Sequence, residues 1–122
     1  SWTRPHRRKD GSLDPLMRVT DGPFVHRTAS GELVLLWSSF SDSGYAMGVA
    51  RSEGGTVLGP WRQEGRPIAD SDSGHGMIFR ALDGRLVATW HSPNRTPLER
   101  PAFLEAEERG GTLVLGGRIG RG

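Results

Sequence analysis

The chain has 122 residues, enough for one modest domain, and its 16 basic and 14 acidic side chains leave a formal charge of only +2, so charge gives no reason to expect nucleic acid as a partner. It has no cysteine, which excludes a disulfide frame and a thiolate metal site, and no apolar run approaches the roughly 18 residues that a membrane-crossing helix needs. Eighteen glycines and eight prolines, with no long helical period, predict short strands joined by tight turns.

Ser1 to Lys9 is a basic leader followed by the turn signal Asp10-Gly11, and residues 1–19 read as a loop entering the first sheet. The leader lacks the apolar centre of a signal peptide. With the natural start expected upstream of Ser1, the compartment stays open between secreted, periplasmic and cytoplasmic. Pro23 to Thr28 is extended, and Ala29-Ser30-Gly31 turns into a second strand over Glu32 to Phe40. There Leu33, Leu35 and Trp37 share one face and Val34 and Leu36 the other, the pattern of a strand covered on both sides. In the third strand, Tyr45 to Arg51, large residues alternate with Ala46, Gly48 and Ala50, so one face is nearly flat and suits close approach of a neighbouring sheet. Leu58-Gly59-Pro60-Trp61 leads to a short outer strand, where an edge tolerates proline.

A second unit begins near Gly74-His75-Gly76-Met77-Ile78-Phe79, turns at Asp83-Gly84 and continues over Arg85 to His91. The loop Ser92 to Glu99, a strand over Arg100 to Glu105, a fourth over Thr112 to Leu115 and a glycine-rich tail complete it. The two units are copies. Arg27 falls on Arg80, Gly31 on Gly84, Leu33 on Leu86, Trp37 on Trp90 and Ser39 on Ser92 at a constant offset of 53 residues, which becomes 56 where Gly54-Gly55-Thr56-Val57 meets Gly110-Gly111-Thr112-Leu113. Repeats near this length, built of short strands, are the signature of a β-propeller blade. The expectation is an all-β fold of four-stranded antiparallel blades, with a single partial domain over 1–122, blades over 20–68 and 69–117, and a flexible tail over 118–122. Closed propellers use about four to eight blades, so this one reads as incomplete.

In a propeller the first strand of each blade lines the central channel. The offset places Asp21 on Gly74 and Gly22 on His75, so a carboxylate and an imidazole stand where consecutive inner strands begin. Trp37 and Trp90 hold one repeat position, which argues packing, and Arg27 and Arg80 read as a repeated stabilising device. His6, His26 and His91 have no companion spacing and read as structural.

Thr20-Asp21-Gly22-Pro23-Phe24, the strand from Tyr45 to Ser52, Gly59-Pro60-Trp61, Gly74 to Phe79, His91-Ser92-Pro93-Asn94 and Glu99-Arg100-Pro101 together resemble glycoside hydrolase family 43 over nearly the whole chain. The resemblance implies a five-bladed propeller, of which about three blades would be represented here as a C-terminal fragment lacking the first two. It implies inverting hydrolysis of O-glycosyl bonds in arabinose- or xylose-containing polysaccharides or oligosaccharides. Such chemistry needs a carboxylic acid to protonate the leaving oxygen and a carboxylate to activate water from the opposite face. Asp21, before Gly22-Pro23, matches the general acid, with aspartate in place of the usual glutamate. His75 matches the axial histidine, with calcium on the propeller axis, held mainly through water, as the implied ion; no cofactor is required. Arg100 matches the sugar-contacting arginine, Glu99 is an alternative carboxylate, and Phe40 and Ser39 would floor the pocket. Asp10 and Asp14 do not match the base, which would come from the absent blades, so the isolated chain is expected to be weak or inactive. The alternative is a non-catalytic carbohydrate-binding or self-assembling module, forming a homo-oligomer through open blade edges.

Overall fold

The computed structural model describes residues 1–120, and these are all-β, with no helix among them. A small hairpin pairs β1 (His6–Arg7) with β2 (Leu13–Asp14). The first four-stranded sheet comprises β3 (Asp21–Arg27), β4 (Leu33–Ser41), β5 (Gly44–Ser52) and β6 (Trp61–Gln63). The second comprises β7 (Gly74–Arg80), β8 (Leu86–Ser92), β9 (Arg100–Arg109) and β10 (Thr112–Arg118). Both are antiparallel meanders in which each strand pairs with its sequence neighbour, the form of a propeller blade.

The repeat extends to the register. Asp21 pairs with Ser38 and Gly74 with His91, and each inner strand then slips by a bulge before pairing resumes at Phe24 or Met77. The hairpin corners repeat as well: the Arg27 guanidinium donates to the Gly31 carbonyl at 2.9 Å and Arg80 to Gly84 at 2.8 Å. Residues 1–19 are not loop throughout: they hold the β1–β2 hairpin with a third copy of this device, Arg7 donating to Gly11 at 2.6 Å. Gly11, Gly31 and Gly84 all take the left-handed conformation such turns require. Local hydrogen bonds set this leader structure, which is why apolar periodicity does not reveal it.

The two sheets pack face to face. Val34, Leu36, Met47 and Val49 of the first meet Ile78, Ala88, Trp90, Ala102 and Leu113 of the second in one buried cluster. The large face of β5 therefore points toward the next blade. Its flat face receives the leader instead: a side chain at Gly48 would strike the Trp2 ring at 2.5 Å, and Trp2 packs on Trp37 with ring centroids 5.1 Å apart. The last hairpin is longer than its apolar pattern suggests. Gly110 and Gly111 both have positive φ, a two-residue turn that extends pairing outward to Arg109 and Thr112. The tail expected to be flexible over 118–122 falls outside the described residues from 121 onward; Arg118 ends β10, and the Ile119 N–H donates to the Phe103 carbonyl at 2.8 Å.

A clasp ties the blades together away from the inner-strand starts. Glu108 on β9 accepts the Ala29 N–H at 2.8 Å and contacts the His26 ring at 2.7 Å. The backbone donor first, and then His26, hold its carboxyl below the usual glutamate range. A depressed carboxyl contributes stability above its unfolded value and loses it as pH falls through the folded value. Glu108→Gln is therefore expected to destabilise the fold at neutral pH by about 1–3 kcal/mol, as for a lost charged hydrogen bond. In urea unfolding, the gap between variant and wild type should close as pH falls below 4.5. A gap independent of pH would contradict the clasp.

Candidate functional site

The site gathers where β3 and β7 begin. Asp21, the first residue of β3, accepts the Gly22 N–H on Oδ1 at 2.8 Å and the Tyr45 hydroxyl on Oδ2 at 2.8 Å. His75 Nδ1 lies 3.8 Å from the same Oδ2, and both side chains are about half exposed, at 57% for His75 and 49% for Asp21. The carboxylate and imidazole that the repeat aligns are thus neighbours facing solvent.

The bulge explains how. Gly22 and His75 occupy equivalent positions and both have left-handed φ, 52° and 58°. Glycine takes that conformation freely, whereas histidine there is held against its backbone preference, a condition found disproportionately at functional sites. Gly22 has a second constraint, because a side chain on it would meet the His75 ring at 2.8 Å. Gly74 and Gly76 flank His75 for a related reason: side chains there would strike the Tyr45 ring at 2.7 Å and the Met47 sulfur. The Gly-His-Gly triplet lets the first blade press against the inner strand while the imidazole turns outward.

Tyr45 is fixed from several sides. Its ring stacks on His91 at 5.5 Å and lies 5.2 Å from Phe40. His91 in turn sits 6.4 Å from His75, and its Nε2 is 2.9 Å from the Asn94 side-chain oxygen. Asp72 fastens this group, accepting the Tyr45 N–H at 3.2 Å and the Asn94 N–H at 3.0 Å. His91 therefore packs beside the mouth, where it steadies Tyr45, in keeping with its reading as structural. Tyr45, Asn94 and Asp72 had no local signal, because their contacts join segments more than twenty residues apart.

The remaining expected residues divide. Phe40 is exposed beside Tyr45, where a ligand can reach it. Ser39 cannot floor an open pocket, being fully buried on the opposite face of β4, in register with Ala46. Alternation along the strand sends consecutive residues to opposite faces, so Phe40 and Ser39 could not both line the mouth. Arg100 starts β9 opposite Ser92, at the end of the sheet that carries His91, and its guanidinium donates to the Pro97 and Glu99 carbonyls at 3.1 and 2.7 Å. Glu99 accepts the Thr96 hydroxyl at 2.7 Å, which holds its carboxyl below the usual range.

Calcium takes six to eight oxygen ligands. No group of three metal-binding side chains occurs among the described residues, and Asp21 already accepts a hydrogen bond on each oxygen. The side chains of the described residues therefore supply too few ligands for such an ion.

No family model and no curated protein matches the chain. Solved structures do. An endo-arabinase of Bacteroides thetaiotaomicron VPI-5482 is 39% identical over 90% of this chain, with a TM-score of 0.80. A thermostable family-43 glycoside hydrolase is 25% identical over 86%, with a TM-score of 0.68. An endo-1,4-β-xylanase of the same Bacteroides strain is 23% identical over 84%, also with a TM-score of 0.68, a likeness of fold alone. The chain spans only 38–41% of the length of these structures. Its four-stranded blades have the propeller-like fold found in glycosidases. Within that class, the resemblance to glycoside hydrolase family 43 is borne out.

Tyr45 is the only tyrosine in the chain, so its hydroxyl can be followed directly by tyrosinate absorbance. Burial, and then the Asp21 carboxylate, push this hydroxyl up to about 12, so it keeps its proton and remains a donor. The absorbance midpoint of the folded chain should lie near that value, and Asp21→Asn should lower it. An ordinary midpoint in a chain still folded by circular dichroism would contradict the Tyr45–Asp21 bond.

Proposed function

We propose that this chain contributes the proton-donating side of a glycoside hydrolase acting on arabinose- or xylose-containing polysaccharides or oligosaccharides by an inverting mechanism. The observation that carries the reading is the Asp21–His75 pair, exposed at adjacent inner-strand starts in a fold 39% identical to an endo-arabinase. Asp21 is the candidate acid: protonated, it passes its proton to the glycosidic oxygen as the bond to the anomeric carbon breaks, so that the alcohol departs and Asp21 remains as its carboxylate. Tyr45 and the Gly22 N–H then supply two hydrogen bonds to the oxygens left behind. His75 contacts the sugar from the neighbouring blade, Phe40 offers an apolar wall, and Arg100 stands by to bind sugar hydroxyls.

The base is proposed to come from outside this chain. Inversion needs a second carboxylate roughly 6.5–9.5 Å from the acid, free to activate water. The acidic groups nearest Tyr45 in the hydrogen-bond network are otherwise engaged: Asp72 holds two backbone N–H groups, and Asp70 accepts the Ser41 hydroxyl at 2.5 Å. Isolated, the chain is expected to bind oligosaccharide with little turnover. In a form carrying further blades, Asp21→Asn should reduce hydrolysis of arabinan or xylan by about 10²–10⁴-fold, as for loss of a general acid. It should slow nitrophenyl glycosides much less, because their leaving groups need little protonation. Equal losses on both substrates would exclude Asp21 as the acid. Turnover by the isolated chain that Asp21→Asn abolishes would exclude an external base.

The non-catalytic reading rests on a different observation. Met77, Phe79 and Phe103 leave an exposed apolar face on the second sheet, suited to association. Sugar binding without turnover in the longer form would favour it.

A further inference from the structure

The formal charge is unevenly distributed. Residues 1–18 hold five basic and two acidic side chains, whereas the remainder holds eleven and twelve. The leader is the cationic part of an otherwise slightly acidic chain, and the fold carries it toward the mouth. The Arg4 N–H donates to the Phe40 carbonyl at 2.7 Å, and Trp2 anchors the segment on Trp37. Between leader and sheet lies a groove of about 340 Å³, lined by Arg4, His6, Arg7, Leu13, Val19 and Phe40. Phe40 also contacts Tyr45, the residue bonded to Asp21, and Val19 precedes Asp21 by two positions. Through Phe40 the groove adjoins the candidate site.

Its lining combines two chemistries. Phe40, Leu13 and Val19 supply apolar surface against which the face of a sugar ring can rest. Arg4 and Arg7 supply guanidinium groups that are steadied without being used up. Arg4 approaches Asp42 at 3.5 Å and donates to the Ser41 carbonyl at 3.4 Å, and Arg7 uses Nη1 on Gly11. A guanidinium has five N–H donors, so each retains some for another acceptor. Its planar fork matches a carboxylate in particular.

We propose that this groove is a subsite for a uronic acid residue, so that the glycan engaged at the mouth is an acidic, carboxylate-bearing polysaccharide. The proposal rests on the reading of the mouth as a sugar site, and names a feature of its substrate. Neutral pentose units would occupy the mouth while a charged branch or neighbour reaches Arg4 and Arg7.

The test compares binding of glucuronic-acid-bearing xylan with binding of the same polymer after chemical reduction of its carboxyl groups, both measured by affinity electrophoresis. The acidic form is expected to bind about fivefold to tenfold tighter at low salt, the range that two partly exposed ion pairs can supply. That advantage should shrink as salt rises. Arg4→Gln/Arg7→Gln should abolish it without changing affinity for the reduced polymer. Arg62→Gln/Arg66→Gln, which removes equal charge from the outer strand and the loop after it, should preserve it. Equal affinity for the two polymers would overturn the proposal while leaving the mouth intact as a neutral-sugar site. A preference that survives the Arg4/Arg7 change, or disappears with the Arg62/Arg66 change, would also overturn it. Failure of the folded chain to bind either polymer would overturn both this proposal and the reading of the mouth.

Discussion

The arrangement at the mouth depends on the close approach of two sheets along one pair of glycines. Gly74 and Gly76 leave no side chain between β7 and the Tyr45–Met47 face of β5, and nothing larger could stand at either position without moving those side chains. That contact lets the buried cluster from Val34 to Leu113 close. It also lets the His75 N–H reach the buried Ser38 hydroxyl at 2.8 Å, fixing the inner strand of one blade to the second strand of the other. Apolar burial supplies the driving force, and the glycines determine how near the sheets can come.

Given that approach, the remaining geometry follows from the bulge. Both inner strands slip at the same repeat position, which turns the residue there into the left-handed region. One copy meets the requirement with Gly22, and the other spends the position on His75. The first copy places Asp21 just before its bulge, so two copies of one backbone device present different chemistry side by side. Tyr45 joins them, contacting the Gly74 backbone position, His91 and the Asp21 carboxylate. A ring held by so many neighbours has little freedom to withdraw its hydroxyl, which keeps the carboxylate oriented.

The repeat made much of this legible in sequence. The constant offset identified the blades and aligned Asp21 with the start of β7, because repeated backbone geometry requires repeated glycines and apolar positions. Three kinds of information were hidden. Contacts between distant segments, such as Tyr45 with Asp21 and Asp72 with Asn94, leave no spacing to read. Strand alternation separates Phe40 from Ser39, a distinction lost when both are assigned to one pocket floor. The leader hairpin has only two-residue strands, too short for periodicity, although its Arg7 and Gly11 repeat the Arg27–Gly31 and Arg80–Gly84 corners.

Convergence of Asp21 and His75 on one ligand is the central claim, and it can be tested on the chain by itself. Arabino-oligosaccharide would be titrated into isotope-labelled protein while the His75 imidazole and the Gly22 and Gly74 amides are followed by NMR. Shifts that saturate together at these three positions, with the distant Gly110–Gly111 turn unmoved, are the predicted result. Saturable shifts confined to other parts of the chain, or no response from His75 at any ligand concentration, would contradict a sugar site at the start of the inner strands.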